Sequence, residues 1–140
     1  MAALRGPILV VEDDPDIRDS LQHFLELHGY PVCTASHGKE GLEQLGRSPR
    51  PSVVVLDMTL PVMDGHRLLT ARRADDTLRA VPVIILSAAL AGMNPRDRAL
   101  YGTSYEVATF LGKPVDPQQL LNAIERHALR AESGLELTPV

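Results

Sequence analysis

Val53-Val54-Val55-Leu56-Asp57 is the stretch that decides the fold: four consecutive aliphatic residues that end on a carboxylate. A run that is apolar at every position has no face for water, so it reads as a strand covered on both sides, as in a parallel sheet. Working outward, Ile8-Leu9-Val10-Val11 repeats the design and ends in Glu12-Asp13-Asp14. Val81 to Leu86 repeats it again and ends at Ser87, and shorter runs at Pro31 to Ala35 and Thr109 to Leu111 complete five strands. Helical spacing fills the intervals. Ile17, Leu21, Phe24, Leu25 and His28 share one face, with Asp13 or Asp14 as cap, Pro15 in the first turn and Gly29 as the stop. Leu42 and Leu45 face inward from a helix over residues 38–46. Leu68, Leu69 and Arg72 lie on neighbouring turns of a third helix that runs to about Ala74, after a loop from Met58 to Gly65 marked by Pro61 and Asp64-Gly65. Leu120, Leu121, Ile124 and Ala128 share a face of a last helix opened by Pro117. Residues 88–107 show no usable period, and residues 132–140 read as a frayed tail.

Strand–helix units in series predict an α/β fold: a doubly wound parallel sheet with helices on both faces, in one domain over residues 1–131. The chain has 140 residues, enough for one domain with a substantial core. Its net charge of −4 and its 4% aromatic content disfavour nucleic-acid binding. A single cysteine, Cys33, excludes an internal disulfide and fits a reducing cytoplasm. The N-terminal apolar run is too short for a secretion signal or a membrane span.

In doubly wound sheets, ligands bind outside the carboxyl ends of the strands, where the strand order reverses. The acids after the first strand, Asp57 after the third, Ser87 after the fourth and Lys113 after the fifth all fall at such ends. Each has an ordinary explanation alone: a helix cap, a strand-end acid, a turn. Their convergence on one edge is what points to a site. Three carboxylates at close range need a cation, and Mg²⁺ suits an all-oxygen site that must also hold phosphoryl oxygens. Asp57 then reads as a nucleophile that forms an acyl phosphate, with Lys113 and the Ser87 hydroxyl pairing with phosphoryl oxygens.

The ordered set Ile8 to Asp14, Val54 to Met58 with Pro61, Met63, Asp64 and Gly65, Val83 to Ala88, and Phe110-Leu111-Gly112-Lys113-Pro114 resembles the receiver domain of two-component response regulators, the CheY-like family. The resemblance spans roughly residues 6–130 and implies a flavodoxin-like five-stranded sheet of order 2-1-3-4-5. It implies Asp57 as phosphoacceptor, and Asp13, Asp57 and the Thr59 backbone carbonyl as Mg²⁺ ligands, with Glu12 acting through water. Lys113 and Ser87 assist the transfer, Ser87 and Phe110 act as the switch, and Pro114 follows a cis peptide bond. A sensor histidine kinase or a histidine phosphotransfer protein would supply the phosphoryl group, and an unknown downstream protein would read it, with no nucleic acid and no membrane involved. The protein would be a cytoplasmic stand-alone switch and not an enzyme in the turnover sense, apart from slow autodephosphorylation. Two departures stand out. The segment from Ser87 to Lys113 is long, and Gly102-Thr103-Ser104-Tyr105 replaces the family's usual acidic pair. These features leave room for an alternative, a pseudo-receiver that binds partners without phosphorylation. A hydrolytic enzyme with an aspartyl nucleophile is disfavoured, because Thr59 stands where a second acid would be needed.

Overall fold

The structure is a computed structural model that describes residues 4–58, 62–87, 95–99 and 105–131; side chains at 62–64, 97 and 98 are not described. The readings of Thr59, of the tail 132–140 and of most of the 88–107 segment fall outside those residues.

Five strands form one parallel sheet: β1 (Ile8–Val11), β2 (Val32–Ala35), β3 (Val53–Asp57), β4 (Val83–Ser87) and β5 (Thr109–Gly112). Their spatial order is β2-β1-β3-β4-β5. Every residue of β1, β3 and β4 is buried, as their unbroken apolar runs require. Alternate residues feed two separate cores. Leu9, Val11, Val54, Leu56, Val83 and Ile85 face one layer with Leu45, Leu68 and Leu69. Ile8, Val10, Val53, Val55, Ile84 and Leu86 face the other with Leu25, Leu120 and Ile124. The helices are α1 (Pro15–Leu27), α2 (Gly38–Leu45), α3 (Val62–Ala74), α4 (Asp76–Arg79), α5 (Pro95–Ala99) and α6 (Pro117–His127). The α1 and α6 residues belong to the second core, the α2 and α3 residues to the first.

The structure departs from the sequence reading at several points. The third helix begins at Val62, within the expected loop. Gly65 is part of it, and a Cβ there would stand 3.2 Å from Met58 Sδ, so the glycine serves a close approach rather than a turn. A further short helix, α4, follows Asp75, whose side chain accepts from the Thr77 and Leu78 amides. The fourth strand starts at Val83 rather than Val81. Asp14, not Asp13, caps α1 through the Asp16 and Ile17 amides. That leaves the Asp13 carboxylate out of the cap.

At the amino-end rim of the sheet the chain is tied shut. The Ser52 hydroxyl donates to the Gly6 carbonyl at 2.9 Å, the Leu129 amide to the Ser52 carbonyl at 3.0 Å, and Leu4 forms an antiparallel bridge with Arg130. The opposite rim carries the polar groups.

Leu56 is fully buried beside Asp57 in the central strand. Leu56→Ala is expected to lower unfolding free energy by about 2–5 kcal/mol, read as a shift of the urea midpoint at constant m-value. An unchanged midpoint would contradict the packing described.

Candidate functional site

The strand order reverses between β2 and β3, on either side of β1, and the site lies at the carboxyl ends of β1 and β3. Register places the groups. Val11 pairs with Leu56, so Glu12 and Asp57 leave neighbouring strands at the same level. Asp57 pairs with Leu86, which sets Ser87 one step beyond it on β4. Ser87 pairs with Gly112, and the Lys113 amide donates to the Ser87 carbonyl at 3.0 Å. The lysine therefore starts two strands away from Asp57, roughly 10 Å at normal strand spacing. Its long side chain spans β4, and Nζ comes to 2.7 Å from Asp57 Oδ1. The peptide bond between Lys113 and Pro114 is cis, as the resemblance implies.

Carboxylate oxygens of Glu12, Asp13 and Asp57 lie within 4.8 Å of one another, the one such acidic or metal-ligating group among the described residues. Glu12 and Asp57 are each 1% exposed, whereas Asp13 faces solvent. Glu12 Oε2 accepts from the Asp14 amide at 3.2 Å. Glu12 Oε1 is buried without a hydrogen-bond partner, and Lys113 Nζ stands 3.7 Å away, beyond hydrogen-bond range. Burial first, then the adjoining Asp57 carboxylate, push the Glu12 carboxyl up to about 8. The Asp14 amide and Lys113 pull the other way and only partly offset them. A buried oxygen lacking a donor, in a set made only of hard oxygen donors, fits a hard divalent cation such as Mg²⁺ and does not suit a soft metal.

The structure thus brings Glu12, Asp13, Asp57, Ser87 and Lys113 to one rim. Phe110 sits further back on β5, half-buried against the Leu9–Leu56 core. A groove of about 480 Å³ adjoins the site, walled by Ile17, Leu21 and Phe24 of α1 and by Lys113, Pro114 and Val115. Sequence reasoning missed a second polar cluster, at the other end of β5. His66 has Nδ1 at 2.6 Å from the Tyr105 hydroxyl. Arg72, placed on the inner face of α3, is 2% exposed. The signal available in the sequence was a charged residue three and four positions after Leu69 and Leu68.

A doubly wound sheet with three acids, a hydroxyl and a lysine at its carboxyl rim is the arrangement that the receiver resemblance implies. The family model described as response regulator receiver domain matches residues 8–125. The chain is 38% identical over 122 residues to an uncharacterized 14.6 kDa protein of Leptolyngbya boryana, covering 87% of this chain and 89% of that one. It is 46% identical over 81 residues to the transcriptional regulatory protein PrrA of Mycobacterium tuberculosis, covering 58% of this chain but only 34% of PrrA. The solved structure of the Vibrio cholerae chemotaxis protein CheY4 superposes with a TM-score of 0.76 at 29% identity, covering 87% of this chain and 98% of that one. The chain belongs to the response regulator receiver domain family.

The raised Glu12 value has a signed consequence. Between about 4.5 and 8 the folded chain holds a proton on Glu12 that the unfolded chain has released. With divalent ions chelated, stability should therefore fall as pH rises through that window, by at most about 1.4 kcal/mol per unit. Glu12→Gln should flatten that slope and stabilise the chelated protein most at the alkaline end. Urea midpoints at several pH values test this, and an equal slope in both proteins would refute it.

Proposed function

We propose that the protein is a phosphorylatable receiver, in which Asp57 accepts a phosphoryl group from a phosphohistidine on a sensor kinase or a phosphotransfer protein. The observation that carries this reading is the 2.7 Å contact between Lys113 Nζ and a buried Asp57 oxygen inside the acid cluster. An aspartate held only for structure would gain nothing from two further acids at its side.

One Asp57 oxygen forms the new O–P bond as the P–N bond to the donor imidazole breaks. The released nitrogen keeps the electron pair and takes up a proton from water. Lys113 pairs with an Asp57 oxygen and orients it beforehand, then pairs with a phosphoryl oxygen. The Ser87 hydroxyl, next to Asp57 on the adjoining strand, donates to another phosphoryl oxygen. Asp13 and Asp57 would hold Mg²⁺ directly, with the Thr59 carbonyl as a further ligand and Glu12 acting through water. When bound, the ion neutralises charge as two anions approach. The apolar groove beside Lys113 gives the donor protein a surface to rest on while its histidine faces Asp57. The phosphoryl group adds roughly 1.5–2 negative charges and three acceptor oxygens. Its contacts with Ser87 and Lys113 bias the conformation of β4 and β5, with Phe110 following. The signal then passes to a downstream protein by binding, in the cytoplasm and without catalytic turnover of a substrate other than slow loss of its own phosphoryl group.

Incubation with acetyl phosphate and Mg²⁺ should add the mass of one phosphoryl group. Asp57→Asn and removal of the metal with EDTA should each abolish that gain. Lys113→Ala, which deletes one charge-assisted contact of about 1.5–3 kcal/mol, should slow uptake roughly ten- to a hundred-fold. No mass gain in the wild type with Mg²⁺ present would favour the pseudo-receiver reading.

A further inference from the structure

Outside the acid site, Arg72 is the one buried charged side chain among the described residues. Its guanidinium donates to four backbone carbonyls: Nε to Val81 at 2.8 Å, Nη1 to Tyr105 at 2.9 Å, and Nη2 to Arg79 at 3.1 Å and Glu106 at 3.2 Å. Two of these carbonyls lie in the 79–81 connection that leads into β4. The other two belong to residues 105 and 106, which lead into β5. The same two residues are gripped a second time through their side chains. The Tyr105 hydroxyl meets His66 of α3, and the Glu106 carboxylate takes a two-pronged contact from Arg79, at 2.6 and 2.7 Å. Glu106 has a φ of 56°, a conformation that non-glycine residues seldom adopt without support.

Strand β5 needs such an anchor. It is an edge strand that pairs with β4 alone, and its four residues are all half-buried. With no fully buried face, hydrophobic burial specifies its register poorly, and a slip of one residue would turn every side chain to the other face. The register matters because the residue that follows β5 is Lys113. From Ala108, whose amide donates to the Val83 carbonyl at 2.9 Å, the ladder runs in step to the Lys113 amide on Ser87.

We propose that Arg72 is a positioning residue for phosphoryl uptake: by clasping residues 105 and 106 to the entry of β4, it fixes the register of β5 and so delivers Lys113 to Asp57. The assignment rests on the receiver reading above. It needs no contact between Arg72 and the phosphoryl group, since the clasp and the acids lie at opposite ends of the strands. The acids themselves are carried by β1 and β3, whereas the four hydrogen bonds of Arg72 all go to the lead-ins of β4 and β5, so the metal ligands and Lys113 delivery separate.

The test compares wild type with Arg72→Met and the milder Arg72→Lys, each checked for folding by circular dichroism. Arg72→Met is expected to slow phosphoryl uptake from acetyl phosphate about ten-fold or more while Mg²⁺ affinity stays within about two-fold. Amides 108–113 should exchange with deuterium faster than those of β1 and β3. In a Lys113→Met background, Arg72→Met should cost nothing further, because the residue it positions is gone. Should Arg72→Met fail to fold, the same readings on Arg72→Lys decide. A folded variant with wild-type uptake, an equal loss in the Lys113→Met background, or unchanged exchange at 108–113 would each overturn the assignment. If wild type takes up no phosphoryl group at all, the receiver reading fails, while the exchange measurement still reports on the clasp.

Discussion

The carboxylates of Glu12 and Asp57 leave neighbouring parallel strands at one level, both shielded from bulk water. Two such groups cannot both remain charged without compensation. Much of the molecule follows from that constraint. The Lys113 side chain is stretched across β4 to reach Asp57, and Glu12 tends to keep its proton. One Glu12 oxygen is left without a donor, facing where a hard cation fits. An apolar isostere at either position would relieve the repulsion and erase the chemistry. The site is therefore a place where the fold sustains an unfavourable arrangement, and the fully buried strands behind it supply the stability that permits this.

Legibility in the sequence tracked the strength of burial. Strands β1, β3 and β4 are covered on both faces, so their composition alone announces them, and the groups at their carboxyl ends could be placed before any coordinates. The start of α3 was misplaced because Asp64-Gly65 carries the chemistry of a turn, whereas Gly65 is chosen for its distance from Met58. Helix α4 was missed because its four residues offer one partly buried apolar side chain, Leu78, and so have no period to detect. Arg72 was visible only as a charge on a turn neighbouring Leu68 and Leu69, and its partners are carbonyls, which every residue possesses. No residue type at 79, 81, 105 or 106 could have disclosed them. That the clustered acids push one another's pKa upward could be read from their convergence, but that burial is the largest push on Glu12 could not.

The two polar clusters divide the labour along the strands. At the carboxyl end, side-chain charges face each other and are available to react. At the amino end of β5, one buried guanidinium makes four hydrogen bonds to backbone acceptors, which suits it to holding geometry. A guanidinium suits this role because its planar fork offers five donors in fixed directions, which a lysine does not. The half-buried composition of β5 then becomes intelligible. An edge strand so lightly packed keeps its register because its near end is pinned.

The antiparallel bridge between Leu4 and Arg130 has a separate consequence. It gathers the first and last described segments at a single corner, on the rim away from the acids. The acid rim, at the carboxyl ends of β1 and β3, therefore lies a full strand length from the corner where those two segments meet.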